Sequence, residues 1–358
     1  VIAQIAPAVR TAWGEQVGLS DDESTTGKLV CALKKIGVDY VFDTNYSADL
    51  TIMEEGSEFL ERLSHREDYS WPMFTSCCPG WVRFVKTKYP DMVDNLSTAK
   101  SPQQMFGAIA KTYVAHRLGI DPDKVFSLSV MPCIAKKYER TVPQVNYKED
   151  GYDVDLVLTT RELDRFIRSD NIKPEDLTDM PFDDIFGEGS GAAVIFGVTG
   201  GVMEAALRSA YFLATGENPK ADAFKDVRGV KGWKEETFDI KGTKLKVAVV
   251  SGLANTKELI EAVRKGEVSY DFVEIMACPG GCVGGGGQPF VDGLELAEGR
   301  GEQLYELDRE NNIRFSHENP AVQLTYEEYL GSPLSDKAHK LLHTDLKSWD
   351  LKMMEEDK

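Results

Sequence analysis

Short apolar runs rich in β-branched residues alternate with helical patterns along the chain, and this alternation constrains the fold more than any other feature. The strand candidates are residues 2–6, 39–43, 72–76, 125–131, 154–159, 244–252 and 270–276, and the helical patterns fall at 25–36, 49–63, 101–117, 202–215 and 256–265. Fully apolar strands separated by helices are typical of parallel sheets covered on both faces. Because 358 residues exceed the usual size of one domain, we predict an α/β fold of two lobes, each a mostly parallel twisted sheet flanked by helices.

The charge balance narrows the class of partner. Lys and Arg number 41 against 59 Asp and Glu, which gives a formal net charge of -18. So acidic a surface disfavours DNA, RNA and anionic membranes. No apolar run approaches the ~18 residues of a membrane span, and none at the N-terminus is typical of a signal peptide. We therefore expect a cytoplasmic protein with no nucleic-acid or membrane partner.

The end of the chain differs in composition from the rest. From about residue 294 the sequence is more polar, with helical patterns at 321–330 and 335–343 and a charged tail, MMEEDK. We predict a helical C-terminal segment over 294–358.

Cysteine occurs six times, at positions 31, 77, 78, 133, 278 and 282. In a long chain without a secretion signal, metal or redox chemistry is a better interpretation than a disulfide framework. All but Cys31 follow predicted strands. Open α/β sheets bind ligands beyond the carboxyl ends of their strands, so we expect these thiols to share one site. Cys31, in the helical run GKLVCALKKIG, is predicted to be a small apolar core residue.

The spacing of the cysteines bears on which metal they bind. Structural zinc sites usually combine two close pairs, whereas here only Cys278 and Cys282 form a near pair, and Cys78 and Cys133 stand alone. Ligands gathered from distant strand ends favour an iron–sulfur cluster held between lobes. In CPGGCVGGGGQP, the glycines are expected to let backbone approach a bulky ligand. The alternative is that these cysteines are buried thiols and the glycines merely form turns.

Three motifs resemble the signature motifs of the [FeFe]-hydrogenases: TSCCPGW at 75–81, MPCIAKKYE at 131–139 and EIMACPGGCVGGGGQP at 274–289. Their order and separation fit as well, and the resemblance extends to about His343. An N-terminal Cys-rich ferredoxin-like segment, which many bacterial members carry, is missing. The chain therefore resembles the catalytic domain alone, and we expect residues 1–358 to form a single such domain with the metal cluster in the cleft between its lobes.

The resemblance implies a cofactor and its ligands. The cofactor would be the H-cluster, a [4Fe–4S] cubane joined through one cysteine sulfur to a two-iron unit with carbonyl, cyanide and azadithiolate ligands. Cys78, Cys133, Cys278 and Cys282 would ligate the cubane, with Cys282 supplying the shared sulfur. Cys77 would be the acid/base that passes protons to the bridging amine. Neighbouring residues on an extended chain point to opposite sides, which agrees with different roles for Cys77 and Cys78.

Further residues match positions that line the two-iron pocket in the family. Lys136 would pair with a cyanide, although a surface position, like that expected of Lys137, is the alternative. The other matching residues are Pro7, Ala8, Gln103, Met131, Phe196, Gly197 and Met276. For the two methionines, an ordinary core position is the alternative, since a thioether suits both environments.

A proton path is implied in the same way. Glu55, Glu58 and Arg62 lie at i, i+3 and i+7 of the predicted helix 49–63, which puts them on one face and leaves Glu54 pointing elsewhere. By themselves these residues indicate a solvated charged face. The resemblance instead implies a relay from a surface arginine, here Arg62, through the two glutamates and Ser97 to Cys77.

The implied activity is the reversible reaction 2H⁺ + 2e⁻ ⇌ H₂, with electrons from ferredoxin or a similar carrier and dedicated maturation enzymes to build the cofactor. An acidic carrier needs a local basic patch, and the candidates for it are Lys86, Lys88, Lys137 and Arg140. Two other functions stay open: an iron–sulfur assembly protein resembling nuclear prelamin A recognition factor, and a sensory hydrogenase. Retention of Cys77, Lys136, Met276 and the relay residues disfavours the first. Retention of Cys77 also disfavours the second.

Overall fold

The computed structural model describes residues 1–148, 150–187, 189–229, 232–290 and 296–349. Within these residues the strands are β1 Ile2–Ile5, β2 Tyr40–Asp43, β3 Met73–Phe74, β4 Ser127–Met131, β5 Leu156–Thr159, β6 Trp233–Ile240, β7 Thr243–Ser251 and β8 Phe272–Met276. The α-helices are α1 Thr26–Ile36, α2 Asn45–Ser64, α3 Pro79–Lys88, α4 Pro102–Ile109, α5 Ala115–Leu118, α6 Ala135–Glu139, α7 Thr160–Ser169, α8 Gly191–Val194, α9 Gly201–Thr215, α10 Leu253–Arg264, α11 Ala297–Glu310, α12 Pro320–Thr325 and α13 Asp336–Leu342.

The first sheet has the order β2-β1-β4-β5, and all its neighbouring strands are parallel. Every residue of β1 and β4 is buried, as expected where helices cover both faces. On one face, Ile2 and Phe42 pack against α2 and α4. On the other, Val41 and Val130 pack against α1 and α7.

The second sheet has the order β3-β8-β7-β6. Strands β3, β8 and β7 are parallel, and β6 pairs antiparallel with β7 at the edge. Val249 and Phe272 face α2 and α9, whereas Val250 and Val273 face α3 and α10. The predicted fold of two mostly parallel sheets flanked by helices is therefore confirmed, and helix α2 packs against both of them.

Strand β6 is the one strand of the described chain that the apolar pattern did not predict. Its sequence, WKEETFDI, alternates charged and apolar residues, and most of its residues are partly or fully exposed. Charged side chains are common on edge strands, where they discourage pairing with other chains. The turn to β7 uses Lys241 and Gly242, both with positive φ, which suits a tight hairpin.

Several predicted segments differ in extent. Helix α2 begins at Asn45 rather than 49, and β3 covers two residues of the predicted strand 72–76. The predicted helix 101–117 is divided into α4, a π-helical turn at Ala110–Val114, and α5. Among the helices that were missed, α7 carries a capping box from Thr159 to Glu162, which a search for caps would have found.

The C-terminal segment is largely helical over residues 296–349, with α11, α12, a π-helical turn at Tyr326–Leu330, and α13. Its apolar residues Val322, Leu341 and Leu342 join the core formed by α2 and α4. Residues 294, 295 and 350–358, with the predicted charged tail, lie outside the described residues. No helix of the described chain has the length and apolar character needed to cross a membrane.

Candidate metal centre

A cavity lies where the carboxyl ends of strands from both sheets meet. Together with its open mouth, it contains about 650 Å³ that protein atoms do not fill. This is the place where open α/β sheets bind ligands. Its lining residues are Ala6, Pro7, Ala8, Thr44, Ala48, Cys77, Cys78, Pro79, Pro102, Gln103, Met131, Pro132, Cys133, Lys136, Phe196, Gly197, Met276 and Cys282. The structure thus brings every predicted pocket residue to one cavity.

The predicted cysteine ligands surround one end of this cavity. Cys78, Cys133 and Cys282 line it, whereas Cys278 does not but lies close enough to influence its neighbours. Burial, reinforced by the charge of Cys78, raises the pKa of the Cys133 thiol to about 12. Burial and the charges of Cys133, Cys78 and Cys278 raise the pKa of Cys282 well above its usual value. The thiols therefore stay protonated by themselves, and only a bound metal would let them ionise together as ligands.

The spacing of the sulfurs argues against a single metal ion. All six cysteines lie in the described part of the chain and none forms a disulfide. No three of them bring their sulfurs within 4.8 Å of one another. Tetrahedral zinc, with Zn–S bonds of ~2.3 Å, needs sulfurs roughly 3.8 Å apart. A multi-iron cluster does not require sulfurs so close together, because each cysteine binds a different iron atom.

Two glycines of the third motif lie where the backbone of another segment leaves no room for a side chain. A Cβ atom on Gly285 would lie 2.3 Å from the carbonyl oxygen of Pro132, and one on Gly281 would lie 2.7 Å from the backbone nitrogen of Thr199. Gly281 also has a φ of 94°, which favours glycine. Gly285 lets the loop that carries Cys282 pack directly on the segment before Cys133, and Gly281 lets the same loop pack on the backbone at Val198 and Thr199.

Cys77 and Cys78 point to opposite sides of the second sheet. The Cys77 side chain packs with Phe196 and Met276, on the face toward α2, whereas Cys78 packs with the core that contains Trp81. Burial and the charge of Glu55 raise the pKa of the Cys77 thiol well above its ordinary value. Cys77 therefore stays protonated at neutral pH, as a proton donor must.

Lys136 is a buried cation, and the surface alternative for it is wrong. Its Nζ donates to the backbone oxygen of Cys77 and to Oε2 of Glu139, both at 2.9 Å. Although burial favours the neutral amine, the charge of Glu139 and this hydrogen bond raise the pKa of Lys136 above its ordinary value. By contrast, Lys137 pairs with Glu162 and its side chain is 38% exposed.

Gln103 joins Lys136 to the first sheet. Its Nε2 donates to the backbone oxygen of Lys136 at 3.2 Å and to Glu139 at 3.3 Å, and its Oε1 accepts from Ser129 at 3.0 Å. Sequence reasoning missed Glu139, although the residue closes the second motif three positions after Lys136. That i, i+3 spacing of opposite charges was the signal that could have found it.

The predicted relay residues lie inside the protein rather than on a solvated face. Glu55, Glu58 and Arg62 are between 1% and 7% exposed. The guanidinium of Arg62 lies 5.2 Å from the ring centre of Tyr69, which is itself 37% exposed. The interpretation as a solvated charged face is wrong, and so is the expected surface position of Arg62, because Tyr69 and the segment around Leu96 cover this part of α2.

Glu58 makes the hydrogen bonds that hold the outer relay residues together. Its carboxylate accepts from Ser97 Oγ at 2.8 Å, from the Thr98 backbone N–H at 3.0 Å and from Arg62 Nη2 at 2.6 Å. Sequence reasoning did not identify Thr98. A backbone donor leaves no trace in residue type, so no sequence signal pointed to it.

Glu55 lies between this group and Cys77. Within the described residues, neither of its buried carboxylate oxygens has a hydrogen-bond partner. Burial and the charge of Glu58 raise the pKa of Glu55 to about 8, with Ser97 and the backbone of Ser76 close enough to counteract part of that rise. Glu55 therefore holds a proton near neutral pH, and it can both accept and release one.

Cys31 and Glu54 both lie away from the cavity and the proton path, as predicted. Cys31 is buried in the core beside the first sheet, as predicted. Glu54 does point away from the relay: its carboxylate accepts from Tyr326, from the backbone of Leu334 and from His343 of the C-terminal segment, at 2.5 to 2.9 Å.

Comparison with known proteins gives two family matches that together cover most of the chain. Residues 1–286 match the family described as iron only hydrogenase large subunit, C-terminal domain, and residues 294–349 match iron hydrogenase small subunit. The more distant cytosolic iron-sulfur assembly component 3 of Rattus norvegicus is 32% identical over 355 residues, which cover 96% of this chain and 73% of that protein.

Hydrogenases are more similar. The NADP-reducing hydrogenase subunit HndD of Solidesulfovibrio fructosivorans is 52% identical and iron hydrogenase 1 of Clostridium pasteurianum is 44% identical, each over 349 residues and 96% of this chain. The chain spans 59% and 60% of their lengths. A solved structure of apo [FeFe]-hydrogenase HydA1 from Chlamydomonas reinhardtii superimposes with a TM-score of 0.85 at 43% identity, over 96% of this chain and 93% of that one. The chain belongs to the iron-only, or [FeFe], hydrogenase family.

Proposed function

We propose that the chain is a single catalytic domain that interconverts protons and H₂ at an H-cluster. The observation that carries this proposal is the cavity. Thiols from loops of both sheets line one end of it, and the buried carboxyl group of Glu55 lies close to Cys77, which also lines it. When bound, the H-cluster supplies the electrons and the metal site at which protons and H₂ interconvert. The [4Fe–4S] cubane and the two-iron unit with its CO, CN and azadithiolate ligands are the cofactors that family membership implies.

The residues present fit that cofactor. Cys78, Cys133, Cys278 and Cys282 would hold the cubane, because they are soft ligands that lie close enough to influence one another electrostatically. Cys282 is the proposed shared ligand, since it lines the cavity beside Met276 and Phe196. The apolar lining, completed by Pro7, Ala8, Met131 and Gly197, keeps water from the reacting atoms.

Lys136 supplies a fixed positive charge at the cavity wall. An ammonium group has three donors, and two of the Lys136 protons are committed to Cys77 O and Glu139. The third can point into the cavity that Lys136 lines, toward an anionic ligand such as cyanide. Gln103 supports this arrangement by binding both Glu139 and the Lys136 backbone.

We propose that protons travel between Arg62 and Cys77 along one side of helix α2. Ser97 donates to Glu58 and lies near Glu55, so its hydroxyl can pass a proton between the two carboxyl groups. Glu55 is protonated near neutral pH and lies within electrostatic range of Cys77. Arg62 keeps Glu58 oriented at the outer end of the path.

Electron delivery and cofactor assembly need partners. We propose ferredoxin or a similar small carrier as the donor, and dedicated maturation enzymes for the two-iron unit. The predicted basic residues lie on or beside α3 and α6, which contact each other where Arg83 stacks on Tyr138. Lys86, however, donates to backbone carbonyls at 346 and 347, and Lys137 pairs with Glu162, so Lys88 and Arg140 are the stronger candidates. A cytoplasmic location is part of this proposal.

Infrared spectroscopy of the matured protein tests the proposal, because bound CO and CN⁻ absorb in a region where protein does not. We expect those bands together with hydrogen evolution from a reduced donor. Protein made without maturation enzymes should contain about four iron atoms per chain, the content of one cubane, and evolve no hydrogen. A matured protein with a cubane but no CO or CN⁻ bands would contradict the proposal and favour an assembly protein.

A further inference from the structure

The C-terminal segment lies directly against the outer end of the proton path. Residues 98–100 and 342–344 pair as a short antiparallel ladder: Thr344 N donates to Thr98 O at 2.9 Å, and Lys100 N donates to Leu342 O at 2.8 Å. The Lys100 ammonium adds a hydrogen bond to Leu341 O at 2.9 Å. This segment belongs to the part of the chain that matches the small subunit, so two parts with separate family matches meet beside Glu58.

His343 connects this ladder to helix α2. Its ring is buried, with Nδ1 2.8 Å from the Thr98 hydroxyl and Nε2 2.9 Å from Oε2 of Glu54. Since a carboxylate only accepts, Nε2 carries the proton toward Glu54, and Nδ1 then accepts from Thr98 when the ring is neutral. Glu54 is held in turn by the Tyr326 hydroxyl and the Leu334 N–H.

Thr98 carries the connection on to the relay. Its backbone N–H donates to the Glu58 carboxylate at 3.0 and 3.2 Å, while its hydroxyl is committed to His343. Ser97, which donates to Glu58 Oε2 at 2.8 Å, precedes it in the chain. A change in the position of residue 98 must therefore move two of the donors that orient Glu58.

We propose that His343, acting through Thr98, is a positioning residue for proton transfer, so that the C-terminal segment supports the geometry of the proton path. This inference rests on the proposed function, since it concerns the efficiency of the same relay. His343 does not exchange protons with the substrate. It holds the Thr98 backbone so that Ser97 and Glu58 stay at hydrogen-bonding distance, and small displacements along such a path are costly to turnover.

The test compares Thr98→Val with Thr98→Ser in the fully matured protein. Valine keeps the shape of the side chain and the backbone N–H but removes the hydroxyl that binds His343. We expect turnover to fall about tenfold in Thr98→Val and to recover in Thr98→Ser. His343→Gln, whose amide can still donate to Glu54, should behave like Thr98→Val. His116→Gln, at an exposed histidine on α5, is the matched control and should retain normal turnover.

A second readout does not depend on activity. The carboxylate stretching bands of Glu58, assigned by their disappearance in Glu58→Gln, should shift in Thr98→Val and return in Thr98→Ser, while the CO and CN⁻ bands stay unchanged. Normal turnover with unshifted Glu58 bands in Thr98→Val would overturn the inference, and so would loss of iron from that variant. Glu58→Ala, measured in parallel, separates the two proposals. Normal turnover in Glu58→Ala would contradict the proton path itself. Impaired turnover in Glu58→Ala together with normal turnover in Thr98→Val would overturn only the role of His343.

Discussion

The thiol end of the cavity and the carboxyl path beside it are both buried and charged, but they are stabilised in opposite ways. The thiols come from loops that follow β3, β4 and β8, and burial together with neighbouring thiols raises the pKa of Cys133 and of Cys282. The carboxyl groups come from the single helix α2, and the protein neutralises them itself. Arg62 pairs with Glu58 at 2.6 Å, and Glu55 holds a proton.

This difference shows which part of the site has its charges and hydrogen bonds satisfied without a cofactor. Ion pairs and hydrogen bonds within the chain satisfy the outer carboxyl path, so it should form in the same way whether or not metal is present. The thiol end is a concentration of groups that can ionise together only when a metal is bound. Substitutions at the two regions should therefore separate cofactor content from proton transfer.

The largest effect is expected at the thiol end. Cys133→Ser or Cys278→Ser should lose the cubane and with it all hydrogen evolution, because a hard hydroxyl replaces a soft thiolate. Iron analysis and the visible absorption of the cluster measure the loss. Cys31→Ser, in the core beside the first sheet, is the control and should keep both iron and activity. Loss of the cluster in Cys31→Ser would show that the assigned ligand set is wrong.

A smaller effect is expected at Cys77, where the two regions meet. Cys77→Ala should keep its iron and its CO and CN⁻ bands but lose roughly 10²–10⁴-fold in turnover, the usual contribution of a positioned acid or base. Cys77→Ser should behave similarly, because a hydroxyl is a much weaker acid than a thiol. Cys77→Asp should recover part of the activity, since a carboxylic acid can carry the same proton.

Near-normal turnover in Cys77→Ala would remove Cys77 from the path. Loss of iron from that variant would instead place it among the ligands. Cys78→Ser, one residue further along, should damage the cubane, so the pair of variants tests the boundary between the two regions directly.

The smallest effect concerns stability at Glu55. Its pKa is raised from 4.5 to about 8 in the folded protein, so the unfolded chain releases this proton at lower pH than the folded one. The pKa shift therefore has no effect on stability below pH ~4.5 and reduces the free energy of unfolding progressively as the pH rises toward 8, by an amount on the order of a few kcal/mol.

Glu55→Gln should remove this dependence, so the variant should be more stable than the wild type at pH 8 while its turnover falls. Chemical denaturation of the iron-loaded protein between pH 5 and 8, within the window set by that shift, measures the difference. Glu61→Gln, at an exposed position of the same helix, is the control and should leave the pH dependence unchanged. An identical pH dependence in Glu55→Gln and wild type would contradict the assigned protonation of Glu55.

Much of the fold could be predicted because its strands are buried on both faces. Such strands are predominantly apolar, and all the predicted runs correspond to strands of the described chain. Strand β6 could not be recognised in this way, because an edge strand tolerates charge and so has no comparable pattern. The burial of the relay residues on α2 could not be predicted either. The spacing of Glu55, Glu58 and Arg62 places them on one face of the helix, but it does not indicate that this face is buried.

The residue types at the carboxyl ends of the strands could be read from the sequence alone. Because open α/β sheets bind ligands at that edge, those residue types indicated the class of chemistry. Only the tertiary structure decided how the charged groups are paired. The connection from Glu54 through His343 to Thr98 joins residues whose contacts depend on packing. Residue 343 is nearly three hundred positions from Glu54, and the hydrogen bond between them exists because the C-terminal segment folds back over α2 and excludes water there.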